Sequence, residues 1–201
     1  MFVKICGITT AAARDAAVEA GADALGFVFA ESPRRIAPAA ARALCEGLPE
    51  RTIRVAVMRA PSADEVREVL DVFAPDWLQT DAADLAALEL PRGCRPLPVY
   101  RRALGGEPPP RLLFEGAASG AGLRADWDAA RALARRTELV LAGGLTADNV
   151  EEAIAAVRPW GVDVSSGVER RRGEKDPAMI RSFIARVRAL DAPVARAQEE
   201  R

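Results

Sequence analysis

Residues 3–9 read VKICGIT, and Cys6 closes the first short apolar run of the chain. A thiol at the end of a buried strand is either a small inert hydrophobe or a base aimed into a pocket. The 201 residues contain no histidine, which excludes His-dependent triads, His metal sites and the imidazole acid–base catalyst. Proton transfer then falls to carboxyl, thiol, lysine or tyrosine groups, and the only lysines are Lys4 and Lys175. Two further motifs, LAGGL at 141–145 and VSSGV at 164–168, contribute Gly143, Gly144, Ser166 and Gly167. Glycine lets backbone N–H groups close on an anion, so the pair reads as phosphate loops or as two tight turns. ESPRRI at 31–36 sets Arg34 beside Arg35. Such a pair can clamp a carboxylate through two parallel hydrogen bonds or simply solvate a loop, and position alone leaves both open.

These groups need a scaffold that brings them together. Short apolar runs at 2–6, 24–29, 53–58, 76–80, 96–101, 111–115, 138–144 and 161–167 predict eight strands or strand-plus-turn segments. Ala-rich helical patterns separate them, near 10–20, 38–47, 62–73, 82–89, 126–136, 146–157 and 176–190. Pro38 fits a first helical turn, SADE at 62–65 has capping-box spacing, and Asp126 can cap. The alternation breaks once, at RALGGEPPP (102–110), which is too rich in glycine and proline for a good helix. Repeating β/α units imply a parallel sheet. Eight of them predict an α/β fold, a single (β/α)8 barrel over residues 1–190 with a degenerate or missing helix after strand five. A charged tail follows at 191–201. A doubly wound open sheet is the alternative, weakened because no G-x-G-x-x-G follows the first strand. A barrel gathers its chemistry at the C-terminal ends of its strands, and often binds phosphate after strands seven and eight. That rule places Cys6, residues 29–35, Gln79–Asp81, Arg101, Glu115 and both glycine motifs on one rim.

Bulk properties narrow the partners. The net charge is -1 and aromatics make up 5%, so nothing favours nucleic acid or an anionic membrane. No apolar stretch approaches a membrane span. Three cysteines, with no secretory signal in view, predict reduced thiols and a cytoplasmic location. Cys45 and Cys94 read as structural.

The strings VKICGIT, GADALGFVF, SPRRI, LAGGL and GVDVSSGVE followed by GEKD together resemble the phosphoribosylanthranilate isomerase family, in order and spacing, from Phe2 to about Leu190. The resemblance implies a cofactor-free and metal-free aldose–ketose isomerase of tryptophan biosynthesis. Its reaction is the Amadori rearrangement of N-(5-phosphoribosyl)anthranilate to 1-(2-carboxyphenylamino)-1-deoxyribulose 5-phosphate. By the same resemblance Cys6 is the base, Arg34 binds the anthranilate carboxylate, Gly143, Gly144, Ser166 and Gly167 hold the phosphate, and Asp163 bonds the sugar or supports the site. A thiol serves as such a base when its pKa falls toward neutral. Phe29 is the expected apolar wall for the ring. The partner is a small phosphorylated molecule, and the sequence leaves monomer and homodimer open.

Two departures stand out. The family's strand six ends in LLD, with the aspartate as general acid, whereas this chain has LLFEG. Phe114 then takes the aligned place and Glu115 follows it. Neighbours in a strand face opposite ways, so Glu115 serves as the acid only if the strand bulges or turns there. The family's QLHG becomes LQTDA: Gln79 agrees, and Asp81 replaces the histidine as a second candidate acid. A glycine-rich family loop survives as SGAGLRADW (119–127). Among related barrels, ribulose-phosphate epimerases use metal with histidines and indole-glycerol-phosphate synthases use several lysines, neither of which this chain can supply. A barrel that binds a phosphorylated ligand without turnover is the alternative from another class.

Overall fold

The computed structural model describes residues 1–102, 104, 106–116 and 124–191. Eight parallel strands close into a barrel in chain order. They are β1 (Phe2–Cys6), β2 (Ala24–Val28), β3 (Ile53–Val57), β4 (Trp77–Asp81), β5 (Arg95–Tyr100), β6 (Arg111–Phe114), β7 (Glu138–Leu141) and β8 (Gly161–Val164). Around them lie α1 (Ala11–Glu19), α2 (Pro38–Leu44), α3 (Ala63–Val72), α4 (Ala82–Leu85), α5 (Trp127–Ala134), α6 (Val150–Val157) and α7 (Pro177–Asp191). Among the described residues no helix lies between β5 and β6, as the run of glycines and prolines predicts. The closed barrel also disposes of the open-sheet alternative.

Strand alternation divides the apolar side chains into two cores. Val3, Ile5, Phe27, Leu112, Phe114, Leu141 and Val162 face outward and pack with helix residues such as Ala16, Val69, Ala130 and Phe183. Phe2, Ala24, Val55, Trp77, Leu97, Leu113 and Val140 face inward. The N-terminal end of the barrel is closed by rings. Phe2 stacks on Trp77 at 5.4 Å and on Trp160 at 4.6 Å. The Arg111 guanidinium lies 4.5 and 4.4 Å from the centroids of the same two indoles and pairs with Glu138. Gly161 has no room for a side chain here, since a Cβ would lie 2.8 Å from Phe2.

Helix starts follow their caps. Thr10 accepts from the Ala13 amide at 3.3 Å, Ser62 and Glu65 form the predicted capping box, and Asp126 accepts from the amides of Asp128 and Ala129. Three segments depart from expectation. Helix α4 is a single turn rather than a helix to 89, because its bonds tighten to the i→i+3 kind at Ala87 and Leu88 just before Pro91. Helix α6 starts at Val150 rather than 146. Asn149 holds the preceding turn, accepting from the Thr146 amide at 2.9 Å and donating to the Gly144 carbonyl at 2.8 Å. The third is a small antiparallel hairpin after β8, formed by β9 (Glu169–Arg171) and β10 (Glu174–Lys175), where only a loop was expected.

The ring floor is a stability element remote from the strand ends that carry the polar rim. Phe2→Ala is expected to cost about 3–5 kcal/mol, the usual scale for a buried aromatic. Urea unfolding reads that loss, with turnover per folded molecule unchanged.

Candidate active site

The inward alternation continues above the apolar floor with polar residues. Cys6, Gln79, Asp81, Arg101, Glu115, Asp163 and Ser165 line one cavity at the C-terminal mouth, with Val28, Val57, Met58 and Val99 as its apolar wall. Phe29, the expected wall, instead faces outward and packs 5.2 Å from Phe73. It follows Val28, and adjacent strand residues face opposite ways.

The same rule settles strand six. Leu113 belongs to the inner core and Phe114 is fully buried in the outer one, so the next residue turns inward. Glu115 extends the ladder, its amide donating to the Tyr100 carbonyl at 3.0 Å, and its side chain lines the cavity. No bulge is needed, and the inward position belongs to Glu115 rather than Phe114. Arg101 joins the two candidate acids. Its Nη1 lies 2.7 Å from Asp81 Oδ1 and its Nη2 donates to Glu115 Oε1 at 2.7 Å. The Glu115 side chain is 13% exposed, against 34% for Asp81.

On β1, Lys4 sits one inward step below Cys6. It is completely buried, and its Nζ donates to Asp163 Oδ1 at 2.8 Å across the β1–β8 seam, where the two residues are in register. Gly26 makes the space: a Cβ there would lie 3.0 Å from Cys6 Sγ and 3.1 Å from Lys4 Cε. Burial works against the Lys4 ammonium, but Asp163 and the Cys6 sulfur outweigh it and raise its pKa. Cys6 is 6% exposed. Burial raises the pKa of its thiol, against the pull of Lys4 and Lys175. The pKa does not fall toward neutral, because desolvation and the nearby Asp163 carboxylate together exceed the attraction of the two cations.

Arg34 lines the cavity, but its Nε and Nη2 are committed to Glu169 at 2.7 and 2.9 Å. Lys175 joins the cluster from β10, donating to Glu169 Oε1 at 2.7 Å and to the Ser165 carbonyl at 2.9 Å. Burial alone would raise the Glu169 carboxyl. Hydrogen bonds from Arg34 and Lys175 more than reverse this, bringing it down to about 2. The Arg34 stem lies against Gly7, where φ is +81° and a Cβ would stand 2.7 Å from Arg34 Cδ. Nη1 of Arg34 remains without a protein partner among the described residues. Arg35 points elsewhere, to an outer cleft with Ile36 and Glu65.

The two glycine loops meet beside β8. Gly143 and Gly144 have φ of 90° and 66°, and a Cβ at Gly167 would overlap the Leu145 carbonyl oxygen. The Gly143 and Gly144 amides donate to no acceptor among the described residues. These loops do not line the cavity themselves; Ser165 connects them to it. Residues 119–123 of the altered glycine loop lie outside the described residues. Sequence reading missed Lys4, Lys175 and Glu169 as working groups, and placed Arg101 on the rim without a role. The signal for the first two was present, since both lysines of the chain fall within its most distinctive strings.

The sequence profile of the family described as N-(5'phosphoribosyl)anthranilate (PRA) isomerase matches residues 106–186. N-(5'-phosphoribosyl)anthranilate isomerase of Desulforamulus reducens is 39% identical over 199 residues, covering 94% of this chain and 95% of the relative. The crystal structure of phosphoribosyl anthranilate isomerase from Thermus thermophilus superposes with a TM-score of 0.80 at 34% identity, over 94% of this chain and 100% of that one. Another crystal structure is that of an isomerase in complex with reduced 1-(o-carboxyphenylamino)-1-deoxyribulose 5-phosphate. It gives a TM-score of 0.74 at 31% identity, over 94% and 99% of the two chains.

The Glu169 cluster makes a pH-dependent prediction. A carboxyl held at about 2, below the ordinary 4.5, adds stability that is full above 4.5 and lost as pH falls toward 2. Glu169→Gln leaves two buried cations short of a counter-charge and is expected to cost about 3 kcal/mol at pH 7. In urea unfolding the gap to wild type should narrow steadily below pH 4.5.

Proposed function

The chain belongs to the N-(5'-phosphoribosyl)anthranilate isomerase family, and we propose that it carries out the Amadori rearrangement of N-(5-phosphoribosyl)anthranilate in tryptophan biosynthesis. One observation carries the mechanism: a thiol and a carboxyl, Cys6 and Glu115, face into the same cavity from β1 and the end of β6. Glu115 protonates the ribose ring oxygen. The bond from that oxygen to C1′ breaks, and the amine lone pair forms a C1′=N iminium. The Cys6 thiolate takes the proton from C2′, and the electron pair moves to nitrogen, giving the enolamine. Loss of the 2′-hydroxyl proton with protonation of C1′ yields the ketone. Only protons move, so the reaction as written needs no cofactor or metal.

Local electrostatics support these roles. Two carboxyls share the single guanidinium of Arg101, so the cluster can carry one proton and keep an ion pair. Glu115 is the more shielded of the two and takes the acid role, with Asp81 holding Arg101 from the other side. At Cys6 burial disfavours the thiolate. The iminium then adds a third cation to Lys4 and Lys175 at the moment the base is needed, which favours the thiolate. Arg34, aimed by Glu169, offers Nη1 to the anthranilate carboxylate, and the ring rests on Val28, Val57 and Met58. The amides of Gly143, Gly144, Ser166 and Gly167 hold the phosphate. Asp163 has one oxygen on Lys4 and gives the other to a sugar hydroxyl.

Complementation of a tryptophan auxotroph tests the activity, and kinetics of the purified enzyme test the roles. Cys6→Ala and Glu115→Gln are each expected to lower kcat by about two or more orders of magnitude. Asp81→Asn should cost less than Glu115→Gln. A larger loss for Asp81→Asn transfers the acid role, and an unchanged kcat for Cys6→Ala removes the thiol from the reaction.

A further inference from the structure

Gln79 is a buried polar residue of the cavity that this reaction leaves unused. It faces inward from β4 and is 6% exposed, and its Oε1 meets no hydrogen-bond donor among the described residues. Its buried and half-buried neighbours are engaged: Asp163 with Lys4, Arg34 with Glu169, and Asp81 and Glu115 with Arg101. Leaving a buried amide oxygen unpaired is costly, whereas an apolar side chain of the same shape would avoid the cost. An acceptor kept there against stability fits a donor that arrives with the ligand.

The surroundings select the donor. Sugar hydroxyls have a carboxylate acceptor within the same cavity, in Asp163. Gln79 is a neutral acceptor in register with Val57 and sharing the cavity lining with Val99. This suits an N–H that is neutral in the substrate and cationic in the intermediate. A preorganised carbonyl dipole strengthens its bond as charge develops on the donor. Resting on the reaction proposed above, we propose that Gln79 is a substrate-binding residue whose Oε1 accepts a hydrogen bond from the arylamine N–H joining the anthranilate ring to C1′. The bond tightens when that nitrogen becomes the iminium.

Gln79→Met tests this, because it keeps the shape and removes the acceptor. Its thermal unfolding midpoint is expected to equal or exceed that of wild type, while kcat/KM falls about ten- to a hundredfold. A lowered midpoint with kcat/KM within a factor of about two would mark a purely structural glutamine and overturn the proposal. A second measurement needs no turnover. Calorimetry compares the reduced product analogue, which carries the amine N–H, with a counterpart bearing an ether oxygen there. Wild type is expected to prefer the amine about tenfold or more, and Gln79→Met to lose that preference. No preference in wild type, or the same preference in both proteins, overturns the N–H assignment. A wild-type chain that shows the preference but turns over no substrate overturns the reaction and upholds the Gln79 contact.

Discussion

An ammonium group with no access to water sits at the centre of this barrel. Lys4 is completely buried between the ring floor and Cys6, and it survives there because Asp163 stands directly across the β1–β8 seam at 2.8 Å. Breaking such a pair from one side costs several kcal/mol, since the remaining charge is stranded. The requirement reaches into the neighbouring strands. Glycine at position 26 of β2 fits this packing, because a Cβ there would crowd Cys6 Sγ at 3.0 Å and Lys4 Cε at 3.1 Å and oblige them to shift. β1 must keep its alternation so that Phe2, Lys4 and Cys6 rise in one inward column. The thiol then ends the column, above a cation and below the open mouth.

From this centre the molecule divides along the barrel axis. Below it, Phe2, Trp77, Trp160 and Arg111 fill the interior and exclude water. Above it Cys6, Gln79, Asp81, Glu115, Asp163 and Ser165 line the cavity beside an apolar wall that includes Val28, Val57 and Val99. Two charge clusters brace the mouth from opposite sides. Arg101 ties β4 to the end of β6, while Glu169 ties the loop after β2 to the hairpin after β8 through Arg34 and Lys175. These clusters fix side chains on different strands relative to one another, which is what positioning a substrate between thiol and carboxyl demands.

Much of the fold was legible in the sequence, because parallel strands buried on both faces read as short continuous apolar runs. The eight runs and the capping signals at Ser62 and Asp126 depend only on neighbouring residues. Cys6 at the rim was legible in the same way. What escaped depended on distant partners. The clamp on Arg34 comes from Glu169, 135 residues away, and no local pattern announces it. Helix α4 ends early and α6 starts late because the i→i+3 turns before Pro91 and the side chain of Asn149 outweigh helical propensity. The inward aim of Glu115 follows from counting alternation up from Leu113 rather than from matching LLFEG to a family string. Desolvation of Cys6 needed the three-dimensional surroundings, since the same thiol on an exposed strand would be pulled down by its neighbouring cations.

The central claim is geometric: a sulfur above a buried cation reaches C2′ while a carboxyl across the cavity reaches the ring oxygen. A crystal structure of this chain with the reduced product analogue measures it directly. The account predicts Cys6 Sγ about 3.5 Å from C2′, with Glu115 on the other face of the sugar chain and the phosphate against Gly143, Gly144 and Gly167. An analogue bound with C2′ beyond reach of the sulfur, or with Cys6 and Glu115 on the same face, would contradict it.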